Sequence, residues 1–573
     1  MPVDFRRTAR AAIATGIATS LCGGALAATS GRVIDLNGAP LVQAMVTLTK
    51  ASDASGATAT TVFTSERGEF AFASDAPTGT LSVRSLGYRQ IESEIRAGPA
   101  ITILMRPAAN EAGIAPASAY LKDFNHPAER EALVMACVAC HQMPAPEVRD
   151  YAKLLDDTPQ TQSREAREQA WTAIVKQMNY ISSIEFGRAN GFVPSGENVY
   201  SGGDPAPTAK LLVEALGPLR EVRGYRYGAP LIVTARTTIR EFEVPAPNAI
   251  REAVPFDGTH FLYAADVSSN RVFRIDTRSG AVKGLTIPGK ELWGPHTLVP
   301  GDGGVWATSF FPNALMRLDP HTEQFKLWRL NTPGGPPVGV HDISFDANHR
   351  VVTDRRGRIW FSDIVNNKVG WLDPRTGKTG EFNIPPVPGR EGGEQVYGLA
   401  MSPDRVHVWY CQLGIASFGS FNTETLSFER HIEFASRTAG PRRMSMSDDG
   451  VLYLALYGAG QLAAYDTNSN RMLGIYDLPD RASAPYATTW DPLRKVVWVA
   501  TSNGDVIYRF DPRTRSIGVL PLPRERGFLR MLHVDRSSGL LVSSYANIVE
   551  HVRGPRMALL IDPGDAGSSE VAR

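Results

Sequence analysis

The chain has 573 residues, too many for a single hydrophobic core, so two to four domains are expected. Its 60 basic and 59 acidic residues nearly cancel, which excludes the strong basic excess of a nucleic-acid-binding surface. The 52 glycines and 40 prolines suit a turn-rich β protein, and no stretch beyond the N-terminal segment has the run of about 18 apolar residues that a membrane span needs.

Residues 1–27 read as an export signal: the basic "FRRTAR", the small and weakly apolar "AAIATGIATSLCGG", then Ala25-Leu26-Ala27 as an A-x-A cleavage site. Cys22 follows the bulky Leu21, a poor lipobox, and belongs to the removed peptide. The expected location is the periplasm, with cleavage near Ala27.

Residues 29–107 read as short strands, with turns at Asn37-Gly38, Arg67-Gly68 and Pro77-Thr78-Gly79. The pattern Gly31, Val33, Asp35, Gly38, Pro40, Leu41, followed by Gly68 and Phe70, resembles the carboxypeptidase regulatory-like domain. That likeness implies a small transthyretin-like β-sandwich with a structural or docking role. Residues 108–118, "AANEAGIAPAS", form a linker.

Residues 119–222 turn helical. Pro127 opens one helix. Ser163 is placed to cap another, on which Trp171, Ile174, Val175 and Met178 share a face. A third repeats the pattern with Leu212, Ala215, Leu216 and Leu219.

From Tyr225 to about residue 565 the sequence repeats. A turn residue after each third strand falls at Asp276, Asp319, Asp373, Asn422, Asp466, Asp511 and Asp562, spaced by 43 to 54 residues, the size of a propeller blade. The seventh unit lacks an obvious fourth strand. The spare strand 231–245, ahead of the first unit, supplies it and closes a seven-bladed β-propeller without sheet edges. The run Trp360, Phe361, Asp363, Asn367, Val369, Leu372, Asp373, Pro374 and the start Pro295-His296-x-Leu298 resemble the virginiamycin B lyase (streptogramin lyase) family. The expected fold is therefore mainly β and multidomain: a β-sandwich, a small all-α domain and the propeller.

The all-α segment holds "CVACH". Cys137 and Cys140 sit one helical turn apart, where each can add to a vinyl group of one haem, with His141 beneath the iron. A zinc site needs four ligands, and the only other cysteines are Cys22 and Cys411. The segment resembles class I-like cytochrome c domains, including a later W-x-x-[IV]-V-x-x-M helix at Trp171, Ile174, Val175 and Met178. One covalent haem c is expected, with Met178 either the distal iron ligand or a core methionine. Cys411 reads as a buried small apolar residue.

Aligning the starts of the inner propeller strands gives Arg251, His296, His341, Tyr397, Arg442, Tyr486 and Arg530 at the channel mouth. Three arginines suggest an anionic or carbonyl-bearing small-molecule ligand bound with Tyr486. Glu252 and Asp342 follow directly and neutralise part of the charge. His296 and His341, with Tyr397, are the candidate catalytic groups. The histidines suit either a general base or an additional metal ion in the channel. In the lyase relatives a channel-mouth histidine and a magnesium site cleave an ester C–O bond, and His296 matches their Pro-His motif. The late-blade positions here, Tyr486 and Arg530, depart from that set. The eight tryptophan-rich blades and vicinal cysteines of quinoprotein dehydrogenases are missing, so no quinone cofactor is expected. The favoured function is periplasmic redox chemistry, in which the propeller binds a substrate or redox partner and the haem carries electrons. A C–O lyase with an accessory haem, or a non-catalytic electron-transfer and docking protein, are the alternatives.

Overall fold

A computed structural model describes residues 29–50, 57–73, 78–96, 100–108, 115–121, 124, 126–138, 141–188, 204–216, 222, 224–247, 250–331, 339–390, 395–546 and 556–564. The expected signal peptide, the middle of the linker, Cys140 and Leu219 lie outside them. Among the described residues no helix is long and apolar enough to cross a membrane.

Every blade begins from the same local code, a β-branched and aromatic run followed by an Asx turn. Asp276 Oδ1 accepts the Arg278 N–H (2.8 Å). Asp319, Asp373, Asn422, Asp466, Asp511 and Asp562 do the same for the amide two residues on. These turns end each third strand and, in blades 1 to 6, let the fourth fold back antiparallel. Six four-stranded sheets result, running from Ile250–Pro255 and its neighbours in blade 1 to Pro485–Asp491, Val496–Thr501, Val506–Asp511 and Ser516–Pro521 in blade 6. The inner strands of blades 2 to 5 are Pro295–Gly301, Val340–Ile343, Val396–Met401 and Pro441–Met446. They pack side by side around a ring, and the inner strand of blade 7, His533–Val534, lies beside both the sixth and the first. Second strands fill the gaps between blades with bulky side chains such as Trp306, Trp360 and Trp498, all buried.

The spare strand closes the ring. Thr238–Glu243 pairs antiparallel with Met557–Asp562 along its whole length, as the fourth strand of blade 7. Its other edge is covered too, because Thr58–Phe63 of the N-terminal sandwich pairs with it, so blade 7 continues into one eight-stranded sheet. The sandwich packs Val33, Val46, Leu48, Phe70, Leu81, Val83 and Met105 between its strands. Gly68 makes its sharp turn possible, with φ +74° and space for a Cβ only 2.5 Å from the Val33 carbonyl.

Among the described residues, the middle segment has four α-helices: α1 (Pro127–Cys137), α2 (Pro146–Asp157), α3 (Arg164–Arg188) and α4 (Pro205–Leu216). Ser163 caps α3, its hydroxyl accepting the Ala166 N–H at 3.1 Å. Trp171 and Val175 of α3 are buried, as are Leu212, Ala215 and Leu216 of α4, and the two helices pack together. Met178 departs from the expected stripe: it is 41% exposed. Val175 is the last buried side chain described on α3, and Met178 and Tyr180 beyond it are both exposed, so the stripe ceases to be covered before Met178. The helical layer shares one hydrophobic cluster with the propeller, including Leu133, Val134, Val138, Tyr457 and Tyr486.

Candidate functional site

The inner strands carry a shared irregularity. In blades 2 to 6 the pairing register slips where each leaves its first residue, between Pro295 and Leu298, Val340 and Ile343, Val396 and Leu399, Pro441 and Met444, and Pro485 and Ala487. A bulge re-aims side chains that a regular pleat would send to opposite faces. The aligned residues therefore meet at the ring axis, and all seven are buried.

Their contacts run around the ring. The rings of His296 and His341 lie 4.5 Å apart, and that of His341 lies 3.9 Å from Tyr397. The Tyr397 and Tyr486 hydroxyls are hydrogen-bonded to each other. Arg442 Nη2 and Arg530 Nη2 donate to the Tyr397 hydroxyl oxygen at 3.2 and 3.4 Å, and Arg530 also donates to Tyr486. The Arg442 guanidinium carbon lies 4.0 Å from the centre of the Tyr486 ring, 4.3 Å from that of Tyr457 and 4.9 Å from that of Tyr397. Arg530 Nε and Nη1, and His341 Nδ1, have no hydrogen-bond partner among the described residues.

This crowd sets the charges. Burial first, then His341 and the arginines for His296 and the arginines for His341, hold both well below the usual histidine range, so both are neutral. Burial alone would raise the Tyr397 phenol. Arg442, Arg530, Arg443 and the hydrogen bond with Tyr486 outweigh it and bring Tyr397 down to about 7, while burial keeps Tyr486 above its ordinary value. Tyr397 is thus the more acidic phenol of the pair, and it accepts from both guanidinium groups.

Arg443, one residue below the ring, was not among the expected site residues. Glu252 and Asp342 neutralise it rather than the ring arginines. Its Nη1 pairs with Glu252, its Nη2 donates to Thr297 Oγ1 (2.8 Å), and its Nε lies 3.7 Å from Asp342 Oδ2. Glu252 Oε2 in turn accepts the Leu298 N–H at 2.9 Å. Burial pushes Asp342 up to about 6 against the pull of Arg443. Deeper still, His349 and His533 face each other at 5.6 Å with all four ring nitrogens unpartnered, and burial lowers His349 to about 3. The signal for Arg443 was the Arg442-Arg443 doublet at the start of an inner strand.

The C-x-x-C-H segment sits on the same face of the propeller. Cys137 ends α1 and is half-buried. The His141 Nδ1 lies 2.7 Å from the Gln142 carbonyl oxygen. A carbonyl only accepts, so Nδ1 carries the proton and Nε2 keeps its lone pair. The residues that follow are clamped to a loop of blade 6: Gln142 Nε2 donates to Asp505 Oδ1 (2.7 Å), and Met143 exchanges hydrogen bonds with Asn503 at 2.8 and 2.9 Å. On α1, Glu131 accepts from Ser436 and Thr438, both at 2.7 Å. The Met135 side chain fits over Gly440 and Gly458, where any Cβ would collide with it. The Tyr457 hydroxyl donates to the Val138 carbonyl at 2.9 Å. Cys411 is fully buried in blade 4, its thiol pushed up to about 12 chiefly by burial. Among the described residues no group of three or more His, Cys, Asp or Glu side chains is disposed to hold a metal ion.

Residues 28–104 match the carboxypeptidase regulatory-like domain family, so the chain carries that domain at this position. No curated protein matches the chain. Among solved structures, a streptogramin B lyase is similar at 17% identity with a TM-score of 0.47, over 57% of this chain and 97% of that one. Virginiamycin B lyase from Staphylococcus aureus is similar at 14% identity with a TM-score of 0.46, over 57% of this chain and 99% of that one.

Proposed function

We propose that this chain is a periplasmic c-type haem protein whose propeller mouth binds a small anionic or carbonyl-bearing molecule. The observation that carries the reading is the meeting of two features on one face: a buried Arg/His/Tyr ring with unused donors, and a C-x-x-C-H segment clamped beside it. The geometry at His141 fits haem attachment, since its Nδ1–H is occupied and its Nε2 is left as a ligand. Cys137 and Cys140 would hold the porphyrin, His141 the iron, and Met178 remains the proposed distal ligand. When bound, the haem supplies one-electron redox chemistry.

The chain's own residues divide the remaining work. Arg530 offers Nε and Nη1 to a carboxylate or carbonyl oxygen, with Arg251 and Arg442 adding positive potential. Such charge-assisted bonds contribute about 1.5–3 kcal/mol each, so losing one weakens binding about tenfold or more. Tyr397 is the base, its phenolate accepting a substrate proton. His296 and His341, both neutral, are a second base or the ligands of an additional metal ion. A well-placed base contributes about 10²–10⁴ in rate.

A second reading, a non-catalytic electron-transfer and docking protein, is favoured by the burial of every ring residue. One experiment separates the readings. Ferric protein is mixed anaerobically with candidate carboxylates and carbonyl compounds, and haem reduction is followed by its visible bands. The same is done with His296→Ala and with the haemless Cys137→Ala/Cys140→Ala chain. Substrate-dependent reduction lost in His296→Ala supports the redox enzyme. Turnover by the haemless chain without reduction in the wild type leaves a lyase, and neither signal leaves the docking protein. Haem that washes out in acid–acetone rejects covalent attachment altogether.

A further inference from the structure

Among the described residues, the Tyr457 side chain touches both the ring and the C-x-x-C-H segment. Tyr457 lies in the loop after the second strand of blade 5 and is fully buried. Its hydroxyl donates to Val138, the first residue between the two cysteines. Its ring lies over the Arg442 guanidinium at 4.3 Å and meets Tyr486 edge-on at 5.8 Å. Arg442 and Tyr486 are two of the seven ring members, and Arg442 donates onward to Tyr397. Further along the chain, Gln142 and Met143 are held by Asp505 and Asn503, which lie in the blade 6 loop.

We infer that Tyr457 is a positioning residue that couples the substrate ring to the cysteine motif, so that a change in either is felt by the other. The inference deepens the proposed function and rests on it for the purpose of the coupling, while the contact stands without it. Arg442 fixes the tilt of the Tyr457 ring from below. The tilt aims the hydroxyl, and the hydroxyl fixes the carbonyl at the start of the motif turn. Displacing the Arg442 guanidinium, as a bound anion would, shifts the Tyr457 hydroxyl that donates to the Val138 oxygen. Cation–π contact and hydrogen bond act in series here, and two links in series give non-additive losses when both are cut.

The test uses the full-length chain in two states. In the haemless chain, made without maturation machinery, iodoacetamide labelling of Cys137 is timed by peptide mass spectrometry for the wild type, Tyr457→Phe, Arg442→Gln and the double variant. Val305→Ala, a core deletion in blade 2, controls for lost stability. In the haem-loaded chain the midpoint potential is measured for the same set. Expected are a labelling rate raised threefold or more in each single variant, no further rise in the double, and a potential that moves in Tyr457→Phe but not in Val305→Ala. Hydrogen exchange of Val134–Val138 should loosen in Tyr457→Phe without change in blades 1 to 3. An unchanged labelling rate, additive effects in the double variant, or loosening spread through the propeller would each overturn the inference. If haem fails to attach at all, the functional reading falls, and the labelling and exchange results still decide the coupling.

Discussion

In the layer formed by Glu252, Asp342 and Arg443, one guanidinium lies between two carboxylates, and Thr297 takes up a further donor. One residue earlier on the same strands, Arg251, His341 and Arg442 join Tyr397, Tyr486 and Arg530, and Arg530 keeps two donors unused. The lower layer is electrostatically closed and resembles a structural pin through the blades. The upper ring concentrates positive potential in a dry place and holds an acidified phenol and two neutral histidines there. Proteins place such unbalanced groups where a ligand completes them, and they give up stability to do so.

The sharpest way to break this contrast is to cut the lower layer. Arg443→Ala strands the Glu252 carboxylate in the interior, and unfolding by denaturant should show a loss of about 3–5 kcal/mol. A loss under about 1 kcal/mol would mean the two layers do not differ. Next comes acid. His296, His341, His349 and His533 are neutral in the folded chain because burial lowers them, whereas unfolded histidine titrates near 6.5. Below about 6.5 the unfolded chain takes up protons that the folded one refuses, so stability falls with falling pH. His349, lowered to about 3, accounts for about 2 kcal/mol of this by pH 5. The His349→Phe/His533→Phe chain should show a flatter acid limb in thermal melts between pH 6.5 and 4.

Tyr397 gives a slope of the same sign in a higher pH window. Its phenol falls to about 7 in the folded chain against about 10 when unfolded, so its stabilisation is absent below pH 7. It grows by about 1.4 kcal/mol per pH unit from there and is complete near pH 10. Ultraviolet difference titration should show a phenolate forming near pH 7 in the wild type, lost in Tyr397→Phe. The smallest effect on stability belongs to the ring itself. Arg530→Gln should change unfolding free energy by no more than about 1 kcal/mol. It should still weaken anion binding tenfold or more by calorimetry, which is the signature of a ligand-facing charge.

The blades were legible because each repeats its strand pattern and its Asx turn, and the missing fourth strand of blade 7 was found by counting. The ring was legible from alignment of the strand starts. Arg443 was not, because strand alternation puts neighbours on opposite faces and a bulge leaves no mark in composition. Tyr457 sits in a connection between strands, a place where exposure is the ordinary expectation. Met178 followed the helical period, but the period says nothing about how far along the helix the stripe is covered. The pairing of Thr58–Phe63 with Thr238–Glu243 joins segments almost two hundred residues apart, and edge matching of that kind is not written in either strand alone.

That long-range pairing bears on the order of assembly. The ring is completed only when Met557–Asp562, near the C-terminus, finds Thr238–Glu243. A strand left waiting through the synthesis of six blades is an open template for wrong partners. Here the strands Ile91–Arg96, Thr78–Arg84, Met45–Lys50 and Thr58–Phe63 precede it in the chain and occupy one of its edges. A nucleus of these five strands can form from the first 243 residues, holding the closing strand extended and in register. The entropy of the final closure then grows only with the logarithm of the intervening length. The N-terminal sandwich is in this sense a template for vectorial folding, one that keeps a single dangling edge committed to the last strand made.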